Sequence, residues 1–327
     1  MTDIIFQKSL QDMIKGIRSH KLQPSEFISQ EINDIKVELK SSDQFTKAEA
    51  IRKLTYLQMI GYDISWAAFA VIEVMSFPRF AHKQIGYLAA NQSFNESTDL
   101  ILLTTNLYKK EFSSGGVGNL YEVGVALNSI SNIVTMELGR DCLSDIVGLM
   151  NHSNPYIRKK AVLALYKLYI KYPAGLRLTF DLIKERLEDS DSSVVSTAVS
   201  VICELANRNP KNYLALAPRF FSLLTSSTNN WLLIKLVKLF GLLVSEEPRL
   251  ARKLIDPLVS LILNNSAKSL QYECIHTLTV SFLYTKKEDG TDAKNVPNAV
   301  KVCSDNLRIF ITDSDQNLKV NTILGIL

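Results

Sequence analysis

The stretch NPYIRKKAVLALYKLYIKYP, residues 154–173, contains the apolar pattern that decides the fold. Its apolar residues follow one another at spacings of 4, 3, 1 and 3, which describes one face of an α-helix, and the run ends at Pro173. The pattern returns 37 residues later and again 38 residues after that, each time before a proline, Pro210 or Pro248. The recurring positions are Ile157, Ala161, Ala164, Leu165 and Leu168, then Val194, Ala198, Val201, Ile202 and Leu205, then Leu232, Leu236, Leu239, Phe240 and Leu243. Three runs in register indicate an internal repeat.

A second amphipathic segment precedes each of these helices and has the same period. Its apolar positions are Leu143, Ile146 and Met150, then Phe180, Ile183 and Leu187, then Ala217, Phe220 and Leu224, then Ile255, Leu258 and Ile262. Short turns rich in Asn, Asp and Ser separate the two segments, and such residues can cap the helix that follows. The unit is therefore helix, turn, helix, with the period of HEAT or armadillo repeats. Because one pair cannot cover its own apolar face, the sequence predicts an all-α fold, a curved solenoid of stacked helix pairs.

The repeat weakens towards both ends of the chain. The positions that continue it are Ile51 and Leu54, then Ile85, Leu88 and Ala89, then Val123, Ala126, Leu127 and Ile130, and downstream Leu270, Cys274 and Leu278. Polar or glycine-rich stretches at 113–120 and 286–295 are predicted to be flexible loops. We expect residues 1–327 to form a single solenoid domain that is the N-terminal part of a longer protein.

Three cations, Arg158, Lys159 and Lys160, stand at the head of the opening stretch. They could form a phosphate site, a nuclear targeting signal, or the outward-facing start of a buried helix. The third interpretation is favoured because the cations share a helical turn with core residues. On this interpretation Arg158 reaches towards the polar turn that precedes the helix.

The motifs give no support for an enzyme. The glycines near 113–120 lack the Gly-Lys-Ser/Thr ending of a phosphate-binding loop, and no serine lies in a Gly-x-Ser-x-Gly elbow. The four histidines are isolated, and the four cysteines are far apart, which favours reduced thiols in the core over a metal site. Trp66 and Trp231 lie on helical apolar patterns and are predicted to belong to the core. We therefore predict no catalytic residue, no metal site and no cofactor.

The charge and hydropathy of the chain also limit its partners. A net charge of +4 over 327 residues is small, which argues against nucleic acid. The most apolar run, WLLIKLVKLFGLLV, contains two lysines and is too short to span a bilayer. Any contact with a membrane is expected to be peripheral.

Four long blocks of the sequence keep a characteristic order and spacing. They are DMIKGIRSHK (12–21), KLTYLQMIGYDISWAAFAVIEVMS (53–76), KQIGYLAANQSFNESTDLILLTTN (83–106) and VICELANRNPKNYLALAPRFFSLLTSSTNNWLLIKLVKLFGLL (201–243). These blocks resemble the large subunits of the adaptor-protein complexes, the adaptin family. The resemblance extends from about Asp12 to about Leu283 and is greater to the delta type of chain than to the alpha, gamma or epsilon types.

This resemblance implies a non-enzymatic subunit of a vesicle coat. It implies a heterotetramer with beta-type, medium mu-type and small sigma-type chains, in which the large chain scaffolds sigma. The complex would be cytoplasmic and peripheral on Golgi, endosomal and coated-vesicle membranes, where it sorts transmembrane cargo towards vacuoles or lysosomes. The resemblance further implies recruitment by an Arf-type GTPase and binding of cargo tails with acidic dileucine signals.

Three residues match functional positions of related chains. Arg18 matches an arginine that borders the acidic dileucine site shared with sigma. Lys47 and Lys53 match lysines of a phosphoinositide site in the alpha-type chain, whereas Ala48 and Glu49 stand where that site has lysines. The resemblance therefore implies cargo binding at Arg18, and lipid binding at Lys47 and Lys53 with fewer cations.

Two other classes of function remain open to the sequence. A HEAT-repeat nuclear transport receptor or another protein-binding scaffold would bind a GTPase of the Ran type or a basic peptide, and would have no affinity for a sigma chain. A nucleic-acid-binding solenoid would require a continuous basic face, which the nearly balanced charge does not favour.

Overall fold

The computed structural model describes residues 7–20, 24–113, 120–285 and 293–326. Within these ranges the secondary structure consists of α-helices and short 3-10 turns, with no strands. The chain divides into two compact units, Met1–Glu185 and Arg186–Leu327. The predicted all-α class is confirmed. The loops predicted at 113–120 and 286–295 lie largely outside the described residues, which omit 114–119 and 286–292.

The first unit contains ten helices among its described residues, and they pack as two layers. They are α1 (Leu10–Ser19), α2 (Pro24–Glu38), α3 (Gln44–Met59), α4 (Ala68–Met75), α5 (Phe80–Ser93), α6 (Thr105–Ser113), α7 (Leu120–Ile133), α8 (Met136–Leu149), α9 (Pro155–Lys171) and α10 (Pro173–Glu185). The second helices α3, α5, α7 and α9 pack side by side in one layer. The first helices α2, α4, α6 and α8 each pack against the second helix that follows them.

The second unit repeats this arrangement. Its described helices are α11 (Ser192–Ala206), α12 (Ala217–Ser226), α13 (Asn230–Glu246), α14 (Arg249–Asn264), α15 (Lys268–Phe282), α16 (Val296–Ile311) and α17 (Gln316–Ile326). Helices α11, α13, α15 and α17 are neighbours in one layer, and α12, α14 and α16 pack against α13, α15 and α17. In both units the chain therefore forms stacked helix pairs, as the 37–38-residue period predicts.

Polar residues in the turns cap the second helices, as the sequence predicts. Asn154, Asp191 and Asn229 accept hydrogen bonds from backbone N–H groups of the first turns of α9, α11 and α13, at 2.9, 2.9 and 3.0 Å. Such a cap stabilises a helix by about 1 kcal/mol. At α15 the equivalent position is Ala267, which has no capping side chain.

The predicted core register is confirmed in the three central repeats. All fifteen positions that define the repeat in α9, α11 and α13 are buried. The proline stops are confirmed as well, because α9, α11 and α13 end before Pro173, Pro210 and Pro248. The four cysteines are buried free thiols, and burial raises the pKa of Cys203 to about 12.

The cations at the head of α9 lie where the favoured interpretation places them. The Arg158 guanidinium donates hydrogen bonds to the carbonyl oxygens of His152 and Ser153, both at 2.9 Å, in the preceding turn. Lys159 and Lys160 are half-buried beside it. Arg158 therefore stabilises the turn between α8 and α9.

One helix of the outer repeats has a register different from the prediction. Leu88 in α5 is 49% exposed, whereas the neighbouring Tyr87 is fully buried. The face of α5 that packs inward also includes Lys83 and Gly86. A search for apolar periodicity misses this face because one of its buried residues is a lysine.

The prediction that both tryptophans belong to the core is wrong. Trp231 is 76% exposed and Trp66 is 44% exposed. Trp231 lies in the first turn of α13, where the Cα–Cβ bond is tilted back towards the helix N-terminus and away from the packed part of the helix. Trp66 lies in the 3-10 turn before α4, and the Lys36 ammonium lies 5.1 Å from its ring centroid.

Candidate interaction surface at the N-terminal helices

Arg18 lies in the last turn of α1, where the helix dipole favours a cation. The helix begins with a capping box, in which the Ser9 hydroxyl accepts from the Asp12 N–H at 3.2 Å and the Asp12 carboxylate accepts from the Ser9 N–H at 3.3 Å. The hydrogen bonds from the Ser9 hydroxyl and N–H hold the pKa of Asp12 below its usual value. Arg18 is exposed, and no ion pair within the described ranges involves it.

A close contact between α1 and α2 fixes the position of Arg18. The ring of His20 stacks on that of Phe27 at a centroid distance of 4.6 Å, and His20 Nδ1 lies 2.8 Å from the Gly16 carbonyl oxygen. A Cβ at Gly16 would lie 2.2 Å from the Phe27 ring. The absence of a side chain at Gly16 thus lets the end of α1 approach α2, and Arg18 follows two residues later.

Lys53 is the buried end of a polar network that joins α2 and α3 to the residues just before α1. Its ammonium lies 2.6 Å from Glu38 Oε1 and 3.2 Å from the carbonyl oxygen of Lys8, and its side chain is 1% exposed. The Lys8 ammonium in turn lies 2.7 Å from Glu31 and 3.3 Å from Asp34, and the hydrogen bond with Glu31 contributes most to raising the pKa of Lys8. Lys53 therefore holds α3 against α2.

Lys47 also forms an ion pair, but with α4, whereas Lys53 pairs with α2. The Lys47 ammonium lies 2.5 Å from Glu73 Oε1 of α4, and most of its side chain is covered. Of the two positions where the alpha-type site has lysines, Ala48 is buried and Glu49 pairs with Arg52 at 2.7 Å. Lipid binding by Lys47 and Lys53 stays a prediction, whereas the observed contacts of both lysines are with carboxylates of neighbouring helices.

Four large apolar residues are exposed where α3 ends and α4 begins. They are Met59, Ile60, Trp66 and Phe69, and we call them the α3–α4 patch. Phe69 is 67% exposed. The chain reverses here at Gly61, whose φ of 101° lies in the region that favours glycine. The sequence analysis did not predict this patch. The feature that could have indicated it is the number of large apolar residues on both sides of Gly61.

A second buried ion cluster lies further along the first unit. The Lys83 ammonium lies 2.8 Å from Glu111 Oε1 and 2.9 Å from Glu122 Oε2, and the Lys83 side chain is 9% exposed. Burial alone lowers the pKa of Lys83, but the hydrogen bonds to the two carboxylates outweigh burial and raise it. Because the folded pKa is raised, the stabilisation is present at neutral pH and is lost as the pH rises through that raised value.

The described residues contain no group of His, Cys, Asp or Glu side chains that could hold a metal ion. No described helix combines the length and the low charge that a bilayer crossing requires.

Comparison with known proteins identifies the family. Residues 25–327 match the family described as the adaptin N-terminal region. The chain belongs to the adaptin family. The sequence prediction of a non-enzymatic protein agrees with this membership, and the resemblance stated from the four sequence blocks is confirmed.

The relatives of this adaptin chain include delta subunits of the AP-3 complex. It is 54% identical to the AP-3 complex subunit delta-1 of Bos taurus over 99% of the chain and 26% of that protein. It is 47% identical to the AP-3 complex subunit delta of Dictyostelium discoideum over 98% of the chain and 27% of that protein. The adaptin chain thus spans about a quarter of the length of these relatives.

A structural comparison agrees with the sequence comparison. A chain in a homology model of the full-length AP-3 complex in an intermediate open conformation matches this adaptin chain with a TM-score of 0.70 and 38% identity. The match covers 86% of this chain and 48% of that chain.

Proposed function

We propose that this adaptin chain is part of the large delta-type subunit of an AP-3-type adaptor complex. The complex is a non-enzymatic coat heterotetramer with beta-type, mu-type and sigma-type partners. The observation that supports the proposal is the difference in similarity between two groups of relatives. The chain is 39–54% identical to AP-3 delta subunits over 96–99% of its length, but 27% identical to an AP-1 gamma subunit over 82%.

The proposal includes a location and a cargo. The subunit acts in the cytoplasm, on Golgi and endosomal membranes to which an Arf-type GTPase recruits the complex, and the cargo travels to vacuoles or lysosomes. Arg18 would border the site for acidic dileucine tails, as its match to the arginine of related chains implies. Its exposed guanidinium forms no ion pair within the described ranges, so it can form charge-assisted hydrogen bonds to an acidic peptide. Lys47 and Lys53 would contact lipid only if their ion pairs opened.

The α3–α4 patch is the proposed docking surface for the sigma-type chain. A cluster of exposed large apolar side chains typically marks a protein–protein interface. Trp66 and Phe69 have the size and aromatic character of residues that dominate binding energy at such interfaces. The patch lies on α3 and α4, and α3 packs against α1, which carries Arg18.

The first test is co-expression of the chain with a panel of adaptor sigma subunits, followed by size-exclusion chromatography. We expect co-elution with the sigma chain of the third complex. The double variant Trp66→Glu/Phe69→Glu should abolish co-elution, because two charges would be buried without partners in an apolar interface.

Leu178→Glu is the matched control, because Leu178 is an exposed apolar residue of α10 in the same unit. This variant should co-elute like the wild type. Co-elution of the patch variant would place the sigma interface elsewhere. If the folded wild-type chain co-elutes with none of the sigma subunits, the proposed function is overturned.

Arg18 is tested on the chain–sigma complex with a labelled acidic dileucine peptide. We expect Arg18→Glu to weaken binding at least about tenfold, because a charge-assisted hydrogen bond is replaced by repulsion. Lys15→Glu makes the same change in charge at an exposed position of the same helix and should alter the Kd about twofold or less. Equal affinities for Arg18→Glu and wild type would remove Arg18 from the cargo site.

A further inference from the structure

The most positive stretch of the chain without a carboxylate residue lies around α9. Residues 146–180 contain six Lys or Arg residues and no Asp or Glu. This stretch therefore carries +6 in a chain whose net charge is +4, and the remaining residues together carry −2. The near neutrality of the whole chain conceals one strongly basic segment in the first unit.

Three of the cations of α9 share one face of the helix with Tyr156 and Leu163. Tyr156, Lys160, Leu163, Lys167 and Lys171 follow one another at spacings of 4, 3, 4 and 4 residues, so they form a single stripe. Leu163 is exposed although it is apolar, and Lys167 and Lys171 are exposed beyond it. From Lys160 to Lys171 the stripe is about 16 Å long, at about 1.5 Å per residue.

The stripe is anchored on α7 at its N-terminal end. The Tyr156 hydroxyl would lie 2.4 Å from a Cβ at Gly124, so the ring lies across α7 at a position that only glycine leaves open. Tyr121 of α7 meets the ring edge-on at a centroid distance of 6.1 Å. The ammonium groups of Lys159 and Lys160 lie 5.9 and 5.3 Å from the Tyr156 centroid. The two lysines are thus held together on an ordered aromatic surface.

These two lysines are not neutralised as other lysines of the second helices are. Lys83 and Lys235 each meet a glutamate of the neighbouring second helix. Lys160 instead donates to the neutral Asn128 Oδ1 of α7 at 2.8 Å. Burial, together with the adjacent Lys159, lowers the pKa of Lys160. An anion placed here would relieve a repulsion between two fixed cations.

The far end of the stripe is concave. Lys167 and Lys171 line a cavity of about 350 Å³ together with Asn132 and Ile133 from the end of α7. Lys171 pairs with Glu96 at its edge, whereas Lys167 has no ion pair within the described ranges. Carboxamides at Asn128 and Asn132 thus follow the lysines along the stripe, and amide side chains can bind a peptide backbone.

We propose that this α9 stripe, with Lys159 and Asn128 beside it, binds an extended acidic polypeptide segment. The lysines would pair with its carboxylates, the asparagine amides with its backbone, and Tyr156 and Leu163 with its apolar side chains. A peptide can follow the line of cations from the Tyr156 ring into the cavity at Lys167, where a flat bilayer could not follow. This surface differs from α1 and the α3–α4 patch, and the proposal does not depend on sigma binding.

The test measures fluorescence anisotropy of a fluorescein-labelled 12-residue peptide of alternating glutamate and serine, added to the complete 327-residue chain. We expect binding that weakens as salt rises. The triple variant Lys159→Gln/Lys160→Gln/Lys167→Gln should bind about tenfold more weakly. The triple Lys→Arg variant at the same positions should retain the wild-type affinity within about threefold, because it keeps the three positive charges. An unchanged circular dichroism spectrum of the Gln triple excludes a folding defect in that variant.

The matched control removes three exposed cations elsewhere, in Lys253→Gln/Lys301→Gln/Arg308→Gln, and should leave the affinity within about twofold. Equal weakening in both Gln triples would show that only net charge matters and would overturn the proposal. Absence of peptide binding, or binding only to phosphatidylserine vesicles with loss in the α9 triple, would overturn it as well.

Discussion

Lys83→Met is expected to lower the free energy of unfolding of the first unit by about 3–5 kcal/mol. The substitution keeps an unbranched side chain of similar length, so the loss comes from charge. It leaves the carboxylates of Glu111 and Glu122, which both lie within 2.9 Å of the Lys83 ammonium, close together without their shared cation. Glu111 is as buried as Lys83, with 7% of each residue exposed, so little water can reach the site to replace the lysine.

Urea unfolding followed by circular dichroism measures this effect. Lys184→Met is the matched control, because Lys184 pairs with the exposed Asp181 in the same unit, and its loss should change the free energy by about 1 kcal/mol or less. The triple variant Lys83→Met/Glu111→Gln/Glu122→Gln should be more stable than Lys83→Met alone, since it also removes the two negative charges that Lys83 neutralises. If Lys83→Met unfolds like the wild type, the buried cluster contributes no stability.

The repeat could be predicted from the sequence because its physical cause is periodic. Each second helix buries the same face against its neighbours, so Ile157, Val194 and Leu232 recur at equivalent places and are all buried. The turns were predictable for a similar reason, since a capping side chain acts within three residues of its own position. Interactions of this local or repeated kind leave a pattern that one sequence can show.

The buried charges could not be predicted in the same way. Lys53 and Lys83 are separated in sequence from their partners Glu38 and Glu111 by 15 and 28 residues, and nothing in the spacing signals the pairs. Hydropathy assigns lysine to the surface, so the register of α5 was misplaced on Leu88. Hydropathy also assigned both tryptophans to the core because they are large and apolar, although both lie at or near the start of a helix.

The candidate site was predictable only to the extent that it depends on single residues. The resemblance selected Arg18, Lys47 and Lys53 as equivalent cations, but only the structure distinguishes one exposed arginine from two engaged lysines. The basic stripe of α9 could be recognised only from the sequence and the structure together. The sequence shows that residues 146–180 lack carboxylates, and the structure shows which of the cations share a face.

Gly86→Ala is expected to destabilise the first unit by about 2–3 kcal/mol, although alanine is the better helix former. Gly86 lies in α5 where that helix crosses α4, and an added Cβ would lie 2.5 Å from the backbone nitrogen of Met75 and 2.9 Å from its Cα. A side chain could rotate away from such a contact, but the backbone of a packed helix cannot. The two helices must therefore separate, and the apolar contacts around Val71 and Tyr87 weaken with them.

Gly148→Ala in α8 provides the comparison that isolates this cause. Gly148 also lies within a helix of the first unit, but no atom lies within 4 Å of an added Cβ. Its substitution should stabilise the unit by about 0.5–1 kcal/mol, because only helix propensity changes. Shifts of the urea midpoint in opposite directions from the wild-type value would show that the close contact between α4 and α5 causes the loss of stability in Gly86→Ala. Helix propensity alone would shift both midpoints upwards. Stabilisation by Gly86→Ala as well would mean that α5 can move away from α4 at little cost, and the contact through Gly86 would then not hold the two helices in place.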